Sequence, residues 1–185
     1  MTKAIYPQPS EMETYNAPFS TPIEKLDFNS LYHQFSAYVA AVALRLSGDP
    51  SCVDDIVQEV FLDCYKSINS ISSTCHARRW LVKVTVRKTK RRLQMQKLKN
   101  LFVPAPSRVD EIPMPGLSAD DRAAFVQLFG ILDTVPVNQR LAWSLRYLEG
   151  AELSETAESC GCSLATAKRW IRAVQCKITG VHHDG

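Results

Sequence analysis

The sequence predicts an all-α protein in which two small helical domains are joined by a proline-containing linker. Apolar residues recur at helical spacing in successive segments, and no alternating strand pattern interrupts them. Four prolines between residues 101 and 116 separate the two groups of helices. The last third reads as helix, turn, helix. A length of 185 residues suits one ordinary domain or two small ones.

The first helix is predicted from Phe28 to Ser47 and ends at Gly48-Asp49-Pro50. Residues 1–27 hold four prolines without a helical period, which predicts a flexible arm. A possible capping box of Ser51 and Asp54 begins the second helix. This helix carries apolar residues on one face, and its other face is acidic around Asp54, Asp55, Gln58 and Glu59.

A polar loop over residues 69–75 leads into a long basic helix from about residue 76 to 99. Leu81, Val84 and Thr85 can face a core, and Trp80 is expected there rather than on a base-stacking surface. The run from Arg87 to Arg92 is too charged to be buried, so we expect it to be exposed. These helices form the predicted first domain, residues 28–99.

The predicted linker, residues 100–117, precedes a second domain at 118–179 and a tail at 180–185. Ser118 is a plausible N-cap, Pro136 breaks the first helix, and Gly150 closes the next. Cys160-Gly161-Cys162 is then a tight turn, and Ser163 can cap the last helix. One face of that helix is apolar and consists of Ala167, either Trp170 or Ile171, Val174 and Ile178. The opposite face is basic, which is typical of a DNA-reading helix.

The net charge of +3 hides a strong segregation of charge. Residues 64–109 contain 12 Lys or Arg and no Asp or Glu, whereas the rest of the chain has a net charge of −9. This asymmetry suggests a polyanion partner for the basic segment, although a solvated basic face would produce the same pattern.

The six cysteines show no paired CxxC spacing, so we expect small core residues and reduced thiols rather than a zinc site. No metal, cofactor or catalytic constellation is expected. No apolar run resembles a signal peptide or a membrane span, so the expected location is the cytoplasm.

The chain resembles the extracytoplasmic-function (ECF) sigma factors of bacterial RNA polymerase, which have only sigma regions 2 and 4. The segment Asp54-Asp55-Ile56-Val57-Gln58-Glu59-Val60-Phe61-Leu62 is similar to the region 2 signature helix. Arg79-Trp80-Leu81-Val82-Lys83-Val84 resembles the start of the promoter-facing helix. Leu132, Pro136, Arg140, Leu145 to Gly150 and the helix-turn-helix resemble region 4.

The resemblance implies three partners and no catalytic chemistry. The acidic face of Asp54, Asp55, Gln58 and Glu59 would dock on the largest subunit of core RNA polymerase, unless it is only a solvated cluster that favours the helix N-terminus. Promoter DNA, both double- and single-stranded, would be the second partner. An anti-sigma factor is the third, and the resemblance is the only ground for it.

The −10 element would be contacted by the loop and the basic helix. Ser72, Ser73, Thr74 and His76 would read an unpaired base, although any of them could be an ordinary loop residue. The backbone of the strand would be held by Arg78, Arg79, Lys83, Arg87, Lys88 and Arg91. Trp80 belongs to the same set of candidate −10 residues, although a core position is favoured over a base-stacking one. The −35 element would be contacted by Ser163, Thr166, Lys168, Arg169 and Arg172. Some of these residues would touch bases and others phosphates, and the sequence does not distinguish the two groups.

Two other classes of protein share some of these features. A stand-alone helix-turn-helix regulator would bind duplex DNA without polymerase, but it needs neither the acidic nor the long basic helix. A nucleic-acid enzyme with a helical DNA-binding tail would need a catalytic constellation. Association with core polymerase separates all three classes.

Overall fold

The computed structural model describes residues 27–102 and 119–181, with side chains described for 27–100 and 123–180. These residues form seven α-helices and two 3₁₀ turns, with no strand among them, so the all-α prediction is confirmed. The helices are α1 (Phe28–Ser47), α2 (Val53–Ser67), α3 (Thr74–Phe102), α4 (Ala119–Thr134), α5 (Val137–Tyr147), α6 (Leu153–Cys160) and α7 (Leu164–Val181). The predicted arm and most of the predicted linker, including Ser118, lie outside the described residues.

The N-terminal unit, α1 to α3, is built on the apolar stripes that the sequence predicts. Leu31, Phe35 and Val39 of α1 pack with Ile56 and other buried residues of α2 and α3. The Asp27 carboxylate accepts the Ser30 N–H at 3.0 Å and so caps α1. Gly48 ends this helix in the left-handed region, at φ 63°, and donates its N–H to the Leu44 carbonyl.

The predicted capping box of Ser51 and Asp54 is wrong. Asp49 caps this segment instead, because its carboxylate accepts the Ser51 N–H at 2.9 Å and the Ser51 hydroxyl at 2.6 Å. A 3₁₀ turn, Pro50–Cys52, therefore precedes α2. Asp54 stays in the first turn of α2, with its side chain in solvent.

The C-terminal unit, α4 to α7, has a core of its own. Phe129, Leu132, Trp143, Val174 and Ile178 are buried together there. The Trp143 indole N–H donates to the Gln175 side-chain oxygen at 2.9 Å, which ties α5 to α7. Proline at the start of α5 and positive-φ glycines after α5 and α6 set the turns of the unit.

A third apolar cluster joins the two units. It contains Val42 and Leu46 of α1, Val86 and Leu93 of α3, and Val137, Leu141 and Leu145 of α5. On α3 this stripe follows the positions 82, 86, 89 and 93, and Thr89 is fully buried within it. The expectation that residues 87–92 are wholly exposed is therefore wrong, because α3 buries one face in each unit.

Polar contacts flank this third cluster. The Arg140 guanidinium is 2 % exposed, stacks on Phe129, and donates to the carbonyls of Leu46 and Ser47 at the end of α1. Asp133 forms an ion pair with the same guanidinium. Burial lowers the pKa of Arg140, and the neighbouring Asp133 opposes that shift.

Candidate functional site

The predicted polymerase-docking face occupies the start of α2. The side chains of Asp54, Asp55 and Gln58 are exposed, and Glu59 is half-buried. Asp54 and Asp55 lie in the first turn, where the helix dipole favours negative charge. The four residues therefore share one accessible surface opposite the buried Ile56 and Val60.

Part of this acidic face is paired with α3. Asp55 forms an ion pair with Arg92, and Glu59 lies 3.4 Å from the Lys88 ammonium. Asp63, on the next turn, contacts both Lys88 at 3.0 Å and Arg87 at 2.9 Å. Burial alone would raise the pKa of Asp63, but the hydrogen bonds and charges of Lys88 and Arg87 bring it below the ordinary value.

Two residues predicted to contact DNA, Arg87 and Lys88, are paired with carboxylates of α2 in the structure. Lys88 is largely buried, with 17 % of its side chain exposed, and both of its carboxylate partners lie on α2. Arg87 is 66 % exposed and can leave Asp63 at little cost. A role in phosphate binding remains a prediction for both residues, and Lys88 has a structural role besides.

The loop before α3 is held at both ends. Ile71 is buried in the N-terminal core, and the Ser73 hydroxyl accepts the His76 N–H at 3.1 Å as the N-cap of α3. The His76 ring nitrogen Nδ1 lies 3.4 Å from the Ser72 backbone nitrogen and 3.2 Å from its hydroxyl. Thr74 is buried. Ser72, Ser73 and His76 are exposed, and the Ser73 hydroxyl is already engaged as the helix cap, so Ser72 and His76 are the candidates to meet a base.

The basic face of α3 looks toward the C-terminal unit. Arg79 lies 3.9 Å from Glu155 of α6, and Lys83 lies 3.5 Å from Glu158. The Arg78 guanidinium stacks over the Tyr38 ring at 5.1 Å. Between the two units runs a crevice of about 510 Å³, with these cations on one wall and acidic side chains on the other. Trp80 packs against the N-terminal core, as the sequence predicts, and lines the same crevice.

The helix-turn-helix of α6 and α7 has the predicted form. Gly161 takes φ 65° and ends α6, and the Ser163 hydroxyl accepts the Thr166 N–H at 3.2 Å. Ala167, Ile171, Val174 and Ile178 are buried against the rest of the unit. The opposite face of α7 is exposed and carries Lys168, Arg169 and Arg172. The hydroxyls of Ser163 and Thr166 form a hydrogen bond with each other at the start of the helix.

The cysteines depart from the expectation that most are core residues. All six are free thiols, and only Cys64 is buried, whereas Cys75 and Cys176 are exposed. Cys160 is partly buried, and the resulting loss of solvent raises the pKa of its thiol to about 12, which keeps it protonated. Within the described ranges, no helix is long and apolar enough to cross a membrane.

The N-terminal unit matches a known protein family. Residues 31–98 match the sequence model of the family described as Sigma-70 region 2. The matched range includes the acidic start of α2, the loop that follows it and almost all of the basic helix α3.

Curated relatives cover both units of the chain. The "ECF RNA polymerase sigma factor EcfG" of Rhodopseudomonas palustris is 27 % identical over 143 residues, which are 76 % of this chain and 77 % of the relative. The "ECF RNA polymerase sigma-E factor" of Escherichia coli K12 is 26 % identical over 157 residues, covering 76 % and 78 %. The factor SigE of Mycolicibacterium smegmatis is 24 % identical and covers 90 % of this chain and 67 % of the relative.

Solved structures share the fold. One is the sigma factor RpoE in complex with the anti-sigma factor NepR from Bartonella quintana, with a TM-score of 0.64 and 17 % identity over 86 % of this chain and 98 % of that chain. Another is CnrH in complex with the cytosolic domain of CnrY, with a TM-score of 0.56 and 17 % identity over 85 % and 88 %.

Proposed function

We propose, from the premise that this chain belongs to the ECF sigma factors, that it binds core RNA polymerase and directs promoter-specific initiation of transcription. The observation that carries the proposal is the pairing, in one chain, of a region 2 unit with a second unit that ends in a helix-turn-helix. We assign residues 28–99 to polymerase docking and −10 recognition, and residues 118–179 to −35 recognition.

Docking on the polymerase is assigned to Asp54, Asp55, Gln58 and Glu59. Asp54 and Gln58 would contribute most to docking, because both are exposed. Asp55 and Glu59 contribute less, because each already pairs with a basic residue of α3. A carboxylate at a helix start offers a basic partner surface both its charge and the aligned helix dipole.

Recognition of the −10 element is assigned to the loop and the basic face of α3. Arg78, Arg79 and Lys83 would attract the phosphates of a separated strand, a contribution that does not depend on sequence. Ser72 and His76 would then meet unstacked bases, which are read on their exposed edges. Ser73 and Thr74 support this surface as a cap and a buried anchor.

Recognition of the −35 element is assigned to the exposed face of α7. Arg169 and Arg172 project from a helix whose opposite face is buried, as a helix in a major groove requires. Lys168 lies beside them, and Ser163 and Thr166 at the N-terminus of the helix can meet phosphate.

An anti-sigma factor is the regulatory partner that we propose. One structure with this fold is that of a sigma factor in complex with the anti-sigma factor NepR, and another is that of CnrH in complex with the cytosolic domain of CnrY. A protein ligand of this kind would control how much of the chain reaches the polymerase. Since sigma factors act on chromosomal promoters, we expect the cytoplasm as its location.

The test is transcription reconstituted from purified parts. Core polymerase with the chain should initiate at specific promoters, and core polymerase alone should not. The alternative is a stand-alone helix-turn-helix regulator of duplex DNA. Tight, sequence-specific binding of duplex by the isolated chain, with no transcription when core enzyme is added, would establish that alternative instead.

A further inference from the structure

We propose that an aromatic patch on the N-terminal unit binds a segment of this chain's own N-terminal arm, residues 17–22. The patch consists of Phe28 and Tyr32 of α1 with Leu62 and Tyr65 of α2. The segment has the sequence Ala-Pro-Phe-Ser-Thr-Pro and lies outside the described residues. The patch shows what its surface requires of a ligand, and the sequence of the arm meets those requirements.

The patch is an exposed surface made largely of rings. Tyr32, Leu62 and Tyr65 are 42 %, 53 % and 65 % exposed, and they are three of the seven large apolar residues exposed within the described ranges. The ring centroids of Phe28 and Tyr65 are 5.4 Å apart with the rings perpendicular, and those of Tyr32 and the buried Phe61 are 4.9 Å apart. Contiguous exposed apolar surface of this kind marks a binding site, whereas scattered apolar residues do not.

The rings of the patch are held by the core beneath them. Phe61 is buried in the N-terminal core, and Phe28 packs against that core. Asp27 caps α1 immediately before Phe28 and so fixes the start of the helix. A ligand therefore meets a preformed surface, and little ordering of the surface opposes its binding.

The position of the segment in the chain brings it to the patch. The described residues begin at Asp27, which is bonded to Phe28 of the patch. Pro22 lies five residues before Asp27, and a fully extended chain of that length spans at most about 18 Å. The connection therefore keeps the segment beside the patch at an effective concentration in the millimolar range. A contact too weak to hold a separate peptide is populated under these conditions.

The composition of the segment suits a surface of aromatic rings. Proline-containing peptides dock in aromatic-lined grooves, because proline has an apolar ring and a fixed φ and so loses little conformational entropy on binding. Pro18 and Pro22 provide two such rings, and Phe19 can pack edge to face on Tyr32 or Tyr65. The segment contains no charged residue, so no charge is desolvated when it covers the patch.

Occupation of the patch affects the adjoining surface assigned to polymerase, and this step rests on the proposed function. Gln58, Leu62 and Tyr65 follow one another at spacings of four and three residues, so they share one exposed face of α2. An arm seated on Leu62 and Tyr65 covers the end of this face, next to the acidic residues at its start. The arm and the polymerase therefore compete for the end of α2.

Limited proteolysis of the full-length chain tests the contact from the side of the arm. Chymotrypsin cuts after aromatic residues, and the bond after Phe19 lies within the segment. Leu62→Ser with Tyr65→Ser should speed cleavage of this bond at least about threefold, because cleavage follows the population of undocked arm. Met95→Ser with Leu98→Ser is the matched control, since both residues are similarly exposed but lie on α3, outside the patch. Equal cleavage rates in the parent and both variants would overturn the proposal.

Nitration of tyrosine by tetranitromethane tests the contact from the side of the patch. Pro18→Ser with Phe19→Ser should increase the nitration of Tyr65, measured by mass spectrometry of the digested chain, whereas Pro7→Ser with Pro9→Ser should not. Protection of Tyr65 should be the same at every protein concentration, because the ligand belongs to the same molecule. Protection that rises with concentration would assign the patch to a second copy of the chain. That result, or nitration that the first variant leaves unchanged, would overturn the proposal.

Binding to core polymerase tests the competition. Pro18→Ser with Phe19→Ser should raise the affinity for core enzyme by about two- to fivefold, because the weak contact of the arm no longer opposes docking. An unchanged or lower affinity would overturn the competition. Proteolysis and nitration use the chain alone, so a chain that fails to bind polymerase would contradict the proposed function and leave the contact between arm and patch established by those two measurements.

Discussion

The Nε atom of Arg140 on α5 donates a hydrogen bond to the main-chain oxygen of Leu46 on α1 at 3.2 Å. The same guanidinium donates to Ser47, so a side chain of the C-terminal unit caps the first helix of the N-terminal unit. Carbonyls at a helix C-terminus carry partial negative charge and lack partners within the helix. A buried cation there therefore stabilises both the helix end and the contact between the units.

Arg140→Met should lower the free energy of unfolding by about 2–4 kcal/mol, because two buried carbonyls lose a charged donor. Asp133 contributes little to this loss, since 55 % of its side chain is exposed. Denaturant titration followed by circular dichroism measures the effect. Arg146→Met is the control, because Arg146 is exposed and donates a hydrogen bond to the Ala151 carbonyl of its own unit. Equal stabilities for the two variants would show that the capping is unimportant.

A matched pair of glycine variants tests how closely the units approach. A Cβ on Gly48 would lie 2.1 Å from the Phe129 ring, and the backbone there has φ +63°. Gly48→Ala should therefore destabilise the protein by about 1–3 kcal/mol. Gly130 lies within α4, and a Cβ there meets no atom within 4 Å. Gly130→Ala should raise the stability by up to about 1 kcal/mol. Thermal unfolding of both variants gives the comparison, and a loss of stability in both would contradict the assignment of the clash.

Much of this architecture follows from the sequence, and the remainder follows from long-range packing. The stripes of α1 and α2 and the turn at Gly161 appear as local periodicity and turn chemistry. The sequence does not reveal the second stripe of α3, because Val86, Thr89 and Leu93 are interleaved with charged residues. Its partner surface on α5 lies far along the chain, and no local pattern indicates it.

In the candidate site too, local sequence patterns predict some features and long-range packing determines the others. The residue types at α2, α3 and α7 were evident from charge and helical spacing, and so was their exposure on α7. The pairing of Arg79 with Glu155 and of Lys88 with Asp63 was not evident, because each joins side chains of separate helices. The burial of Arg140 likewise depends on carbonyls 93 and 94 residues earlier in the chain.

Polymerase docking should depend most on the exposed part of the acidic face. Asp54→Ala with Gln58→Ala should weaken binding to core enzyme by roughly tenfold, while helical content and Tm stay nearly unchanged, because neither side chain is buried. Competition against a labelled sigma factor measures this affinity. Lys66→Ala, on an exposed position of the same helix, should have little effect. Unchanged core affinity in the double variant would show that the acidic face is merely solvated.

The exposed arginines of α7 should separate base contacts from phosphate contacts. Arg169→Ala or Arg172→Ala should reduce initiation at promoters that depend on the −35 element. A lost contact to a base costs about 1–3 kcal/mol and varies with the base, whereas a lost phosphate contact lowers affinity for every sequence. Transcription from matched and scrambled −35 sequences distinguishes the two. Lys177→Ala, nearer the end of the same helix, is the control variant, and a loss equal to that of the arginine variants would mean that general charge is responsible.

The loop before α3 should depend on His76 for its shape. Ser73 caps the helix through the His76 N–H, and the His76 ring reaches back to the Ser72 backbone, so the arrangement resembles a capping box with histidine at its third position. The Nδ1 atom lies within reach of both the backbone nitrogen and the hydroxyl of Ser72, so the ring links the loop to the first turn of α3. His76→Ala should therefore loosen the loop and relax base preference at the −10 element. His76→Gln should retain much of that preference, because glutamine also completes a capping box.

The measurement is a randomised −10 library transcribed by core polymerase with each variant. Base preferences should broaden with His76→Ala, while core affinity and −35 dependence stay constant, since His76 is exposed and distant in sequence from both assigned surfaces. Cys75→Ala, at the adjacent exposed position, should leave the preferences as they are. If His76→Ala and the parent chain select the same bases, the loop is only a connector between α2 and α3, and −10 specificity must arise from the basic helix itself.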